Sequence, residues 1–152
     1  GLPRVVSIQN SYSLINRVFE GGLSEFAWRE NVGLLAYSPL GMGTLSGKYL
    51  GGVTPDRSRL ALFPQFMQRY QSTVARDAIA RYAELATEYD LSPTALALGF
   101  VNTRPFVTSN IVGATTIGQL RENIDTAEVT ISQALESAID EAHALCKNPA
   151  AA

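Results

Sequence analysis

The chain has 152 residues, 46% of them apolar and 17% charged, with a formal net charge of −2. This is long enough for one well-cored domain, and without a block of like charge it lacks the basic face that a nucleic acid or an acidic membrane surface needs. The single cysteine, Cys146, excludes an internal disulfide and a metal cage of several thiolates, so a reducing, cytoplasmic compartment is expected.

Gly1-Leu2-Pro3-Arg4 carries neither an initiating Met nor a signal pattern and reads as a chain entered in the middle. Val5-Val6-Ser7-Ile8 is apolar and β-branched on successive positions, which predicts a strand over 4–9 buried on both faces, as in a parallel sheet. After a loop over 10–22, Leu23, Phe26 and Ala27 recur at helical spacing, and Asn31 with Gly33 ends that helix. Gly33-Leu34-Leu35-Ala36-Tyr37 predicts a second buried strand, halted by Ser38-Pro39. From 41 to about 71 the chain holds five Gly and two Pro with no sustained period, a long loop of the kind that covers a ligand.

Ala75, Ala78, Ile79, Tyr82, Leu85, Ala86 and Tyr89 then trace one stripe of a helix over 74–89. Ser92 and Pro93 supply the N-cap and first-turn proline of the next helix, which runs through Leu96, Phe100 and Val101 to a break before Pro105. Phe106-Val107 and Ile111-Val112 flank a third strand that ends at Gly113. Thr116 and Gln119 have the spacing of a capping box for a helix reaching Asp125. Ser132 caps a last helix over 132–147, striped by Leu135, Ile139, Ala142 and Cys146, and the tail 148–152 is expected to fray. Buried strands alternating with helices predict right-handed parallel crossovers; three strands cannot close a barrel and leave both sheet edges unpaired.

Polar residues stand at the carboxyl end of each predicted strand: Gln9-Asn10-Ser11, Tyr37-Ser38 and Gly113-Ala114-Thr115. In parallel α/β folds those ends form the ligand face. The Gly-rich run 41–48, ending in Lys48, resembles a phosphate cradle, although its spacing and Tyr49 depart from a Walker A motif. His143 and Cys146 read as ordinary residues of the last helix. The residues alone point to an anionic ligand of nucleotide size at a strand-end face.

Ser7-Ile8-Gln9-Asn10-Ser11-Tyr12-Ser13-Leu14-Ile15-Asn16-Arg17, Leu35-Ala36-Tyr37-Ser38-Pro39-Leu40-Gly41 with Gly43-x-Leu45-Ser46-Gly47-Lys48-Tyr49, and Gly113-Ala114-Thr115-Thr116-x-x-Gln119-Leu120-x-Glu122-Asn123 together resemble the aldo-keto reductase family. Within it the chain looks most like the bacterial general-reductase group, itself similar to potassium-channel β subunits. The resemblance implies an α/β fold forming the C-terminal part of a (β/α)8 TIM barrel over 1–152, with 41–71 as a cofactor-covering loop. The three strands would be the sixth to eighth of the barrel. It further implies NADPH as cofactor and a small-molecule aldehyde or ketone as substrate, reduced by hydride transfer in the intact barrel.

By the same resemblance, Gln9 would bind the nicotinamide carboxamide and Tyr37 would stack on the ring. Ser38, Pro39, Leu40, Gly41 and Lys48 would hold the pyrophosphate, with Arg59 reaching over the cofactor. Gly113, Ala114, Thr115, Gln119, Glu122 and Asn123 would receive the adenosine end. Val112 replaces the usual proline before Gly113, and Gln119 stands where another branch carries an arginine for the 2′-phosphate, a charge that Arg121 or Arg59 would have to supply. The family's catalytic tetrad of Asp, Tyr, Lys and His matches no segment here, which implies no catalytic residue and no metal site in this chain. A missing N-terminal half of the barrel is then the expected partner, with neither nucleic acid nor membrane. The alternative reading is a non-catalytic NADP(H)-sensing module like the channel β subunits.

Overall fold

In the computed structural model, which describes residues 1–151, the first strand, β1, runs Ser7–Ser11 and begins later than its hydropathy suggests. Its partner β2, Gly33–Tyr37, starts opposite Ser7, so Val5 and Val6 lie beyond the sheet, 69% and 78% exposed. At the other end the polar Asn10 and Ser11 stay in the strand because they pair with Ala36 and Tyr37. The third strand, β3, is Val107–Ile111, and the sheet has the order β1-β2-β3 with both pairings parallel.

Residues opposite one another in the register share a face. Leu34 and Ala36, next to Ile8 and Asn10, are fully buried beneath the helices. Gln9, Leu35, Tyr37, Ser109 and Ile111 occupy the other face and are half-buried or exposed. The expected burial of both faces is therefore corrected to one. Successive crossovers of the same hand lay all their helices on the same side of the sheet.

Local chemistry starts each long helix. Ser72, Ser92 and Ser132 each accept a hydrogen bond from the backbone N–H three residues on, capping α3 (Thr73–Glu88), α4 (Pro93–Asn102) and α6 (Gln133–Leu145). α4 is apolar on nearly every side, packs between β3 and α3, and buries Leu96, Ala97, Leu98, Phe100 and Val101. In α1, Leu23–Arg29, Ala27 is buried whereas Leu23 and Phe26 are exposed, so the predicted stripe is only partly used. Among the described residues no helix is long and apolar enough to cross a membrane.

Two further expectations are corrected. The stretch 41–71 is not structureless: it folds into four 3₁₀ turns and the short helix α2, Arg59–Leu62, held down by the buried Leu45, Met67 and Tyr70. Single apolar anchors at irregular spacing carry no period, which is why the pattern read as loop. The tail does not fray through Ala151: Asn148 and Ala150 bond to the chain after β1, and Ala150 is 1% exposed. Ala152 lies outside the described residues.

Candidate functional site

At the carboxyl end of β2 the chain turns sharply, with Ser38, Gly41, Met42 and Gly43 all at positive φ. The turn is closed by Gly41 N–H donating to the Ser38 carbonyl at 2.8 Å, and by the Thr44 and Ser46 hydroxyls donating to the Gly41 and Gly43 carbonyls. Gly43 lies at φ 93°, and a Cβ there would stand 3.0 Å from Lys48 Nζ. The lysine thus folds back over its own loop, and its ammonium also rests 5.1 Å from the centre of the Tyr49 ring. Arg59, the first residue of α2, reaches Met42 Sδ at 3.5 Å and lies beside Gly113, spanning the gap between the loop after β2 and the end of β3.

The opposite wall is the start of α5, Ile117–Asp125. Thr116 caps it by accepting from Gln119 N–H at 3.2 Å. The capping box differs from expectation by one residue: Gln119 Oε1 accepts from Thr115 N–H and from the Thr115 hydroxyl, at 2.9 and 3.0 Å, rather than returning to Thr116. Glu122 Oε1 accepts from the Ser92 hydroxyl at 3.0 Å. Asn123 is 8% exposed, and its amide Nδ2 is buried without a partner.

Between these walls lies a cleft of about 680 Å³. Twelve of the fourteen residues expected to hold the cofactor line it: Tyr37, Ser38, Pro39, Leu40, Lys48, Arg59, Gly113, Ala114, Thr115, Gln119, Glu122 and Asn123. The other two stand apart. Gly41 is buried beneath the loop against Ile15, Thr44 and Tyr70, and Gln9 lies on the bare face of β1, opposite Leu35. Met42, inside the Gly-rich run 41–48, lines the cleft as well, and sequence reasoning passed over Arg57 and Ser92, which also line it. The signal for Arg57 was its place two residues before Arg59, across the serine that caps α2.

Three cations, Lys48, Arg57 and Arg59, face the cleft together with one carboxylate, Glu122. An orphaned buried amide beside them fits a bound acceptor, since buried donors are otherwise almost always paired. The cleft therefore suits a ligand with phosphates at one end and a hydrogen-bonding ring at the other. Among the described residues no cluster of His, Cys, Asp or Glu suits a metal ion. His143 and Cys146 do not line the cleft, and burial lowers the imidazole pKa and raises the thiol pKa. A smaller hollow of about 320 Å³ at the outer edge of β1, lined by Ile8, Phe26 and Val32 among others, is mostly apolar and gathers no comparable polar set.

The sequence profile of the Aldo/keto reductase family matches residues 1–144. The chain belongs to the aldo/keto reductase family. It is 46% identical over 149 residues to "Protein tas" of Escherichia coli (strain K12), a match covering 98% of this chain and 43% of that protein. It is 38% identical over 156 residues to an "Aldo-keto reductase" of Babesia bovis, covering 98% of this chain and 55% of the relative. A "Probable voltage-gated potassium channel subunit beta" of Arabidopsis thaliana is 33% identical over 101 residues, 64% of this chain and 30% of that protein. The chain thus spans about half the length of the first two relatives. Aldo/keto reductases fold as (β/α)8 barrels, and a three-stranded parallel sheet with its helices on one face is consistent with part of one.

Proposed function

We propose that the cleft binds NADPH, and that this chain is the cofactor-holding part of a reductase barrel whose sixth to eighth strands are β1, β2 and β3. The observation that carries this reading is the pairing, in one cleft, of three cations with the unpartnered amide of Asn123. Lys48, Arg57 and Arg59 neutralise phosphate charge, and Ser38, Pro39, Leu40 and Gly41 shape the loop that carries them. Tyr37 offers a flat ring to the nicotinamide and Gln9 an amide to its carboxamide. Gly113, Ala114, Thr115, Gln119, Glu122 and Asn123 receive the adenosine end.

Bound NADPH supplies the hydride for the carbonyl carbon of an aldehyde or ketone. The residues named here bind and orient; none is assigned to protonate the carbonyl oxygen. That general acid, worth about 10²–10⁴ in rate, belongs to the Asp, Tyr, Lys and His motifs that this chain does not match. The isolated chain is therefore expected to bind the cofactor without turning over substrate.

Titration of NADPH into the chain, followed by nicotinamide fluorescence, tests this. Wild-type chain binds, and Lys48→Ala or Arg59→Ala weakens binding about tenfold each, the size of a charge-assisted hydrogen bond lost. Absence of binding to the wild type overturns the reading. A non-catalytic NADP(H)-sensing module is the second reading, favoured by the likeness to the channel subunit. Cofactor binding without aldehyde reduction by the full-length protein selects it.

A further inference from the structure

We infer that residues 148–150 form a strap that positions Tyr37 and the Gly-rich loop of the cleft, acting through the turn 12–17. The inference rests on the cleft being the cofactor site. Asn148 is the anchor. It sits at positive φ, and its Oδ1 accepts from Arg17 N–H at 2.6 Å. Ala151 N–H closes the bend onto the Asn148 carbonyl, and Ala150 N–H donates to the Ile15 carbonyl at 3.2 Å while its methyl is buried in the core.

The turn that receives the strap touches the cleft by two routes. Tyr12 N–H donates to the Tyr37 carbonyl at 3.3 Å, extending the sheet by one bond at the residue whose ring faces the ligand. The Ile15 Cδ1 methyl lies so close to Gly41 that a Cβ there would be 3.0 Å from it. The turn itself is stiff: Ser13 and Asn16 exchange both backbone hydrogen bonds, and Asn16 Nδ2 donates to the Ser11 hydroxyl. The Tyr12 hydroxyl donates to Glu20, and Arg17 bridges Glu20 and Asp140 at 2.8 and 2.7 Å. A buried turn so fully bonded passes a displacement on, because a packed interior has no slack to absorb it. Asn148 is thus a positioning residue, distant from the ligand and acting through Arg17 and Ile15.

Hydrogen exchange on the whole chain tests the strap without a ligand. Asn148→Ala is expected to speed exchange of the Tyr12, Gly43 and Leu45 amides about three- to tenfold, in the range of measured coupling between packed sites. Asn148→Asp, which keeps the acceptor, stays near wild type. Ser132→Ala, which removes the cap of α6 without touching the strap, gives a comparable loss of Tm and leaves those amides unchanged. Unaltered exchange in Asn148→Ala, or an equal rise in Ser132→Ala, overturns the inference. NADPH release measured on the same variants accelerates only in Asn148→Ala. If the wild type binds no NADPH, the cofactor reading fails while the exchange data still decide the strap.

Discussion

Gly41 and Gly51 both lie at positive φ, at 54° and 69°, yet a side chain would meet different surroundings at the two. At Gly51 a Cβ has nothing within 4 Å; at Gly41 it would stand 2.8 Å from Thr44 Oγ1, 3.0 Å from Ile15 Cδ1 and 3.4 Å from Tyr70 Cε1. Thr44 cannot swing away freely, since its hydroxyl is bonded to the Gly41 carbonyl, and Ile15 and Tyr70 are both buried. Gly51→Ala therefore carries only the left-handed penalty, about 1 kcal/mol. Gly41→Ala adds about 1–3 kcal/mol of overpacking, for a total of about 2–4 kcal/mol. Urea unfolding followed by circular dichroism measures both, with the difference read as a midpoint shift at constant m-value. Equal costs for the two variants would refute the reasoning, and with it the contact by which the turn 12–17 meets the cleft.

Three further outcomes are expected. Asn123→Leu removes an unpaired buried donor, so it leaves stability nearly unchanged or slightly raised while weakening NADPH binding; a loss of more than about 2 kcal/mol in urea unfolding would mean that the amide is satisfied in the fold. Ser72→Ala removes the hydroxyl that accepts from Ala75 N–H and costs about 1 kcal/mol of global stability, read in the same assay. Burial, aided by the Arg17 guanidinium, holds the His143 imidazole pKa below its usual value, so the unfolded chain takes up a proton that the fold resists. This stability is complete above the unfolded pKa of about 6.5 and is lost as pH falls below it. His143→Gln should accordingly flatten the change in urea midpoint between about pH 7.5 and about pH 5.5.

The elements set by local chemistry were legible in the chain. Serine caps, the Pro93 start and the 3.6-residue stripe of α3 are decided within one or two turns, and the structure keeps them. The elements that failed depend on partners far away in sequence. Val5 and Val6 have strand chemistry but no residue of β2 opposite them, because Gly33 begins opposite Ser7 and reaches back only to the Val6 carbonyl. Tail residues 148–150 look like a frayed end until Arg17 and Ile15 are brought beneath them by the packing of α6. The cleft was legible for a different reason: in a parallel sheet, strand ends that lie far apart in sequence must converge, so polar residues at those ends mark a face before its geometry is known. Arg57 was missed because its one signal, the place two residues before Arg59 across the capping Ser58, is positional and shows in no periodic pattern.

Where the crossovers put their helices also separates two tasks that the proposed function requires. Lys48 in the Gly-rich loop, Arg59 at the start of α2, and Gln119 and Asn123 in α5 are brought into one cleft by this chain alone. Tyr37 and Gln9, the residues proposed to meet the nicotinamide, share the sheet face opposite Leu34 and Ala36, where among the described residues Gln9 is exposed and Leu35 and Tyr37 are half-buried. On the proposed reading, the phosphate and adenosine contacts are complete here, whereas the reacting ring lies over a face that must be supplied from elsewhere. Desolvation and proton donation both depend on that missing cover. On that reading, binding free energy and chemistry are assigned to different stretches of the barrel, and this chain is expected to hold the cofactor without reducing a carbonyl.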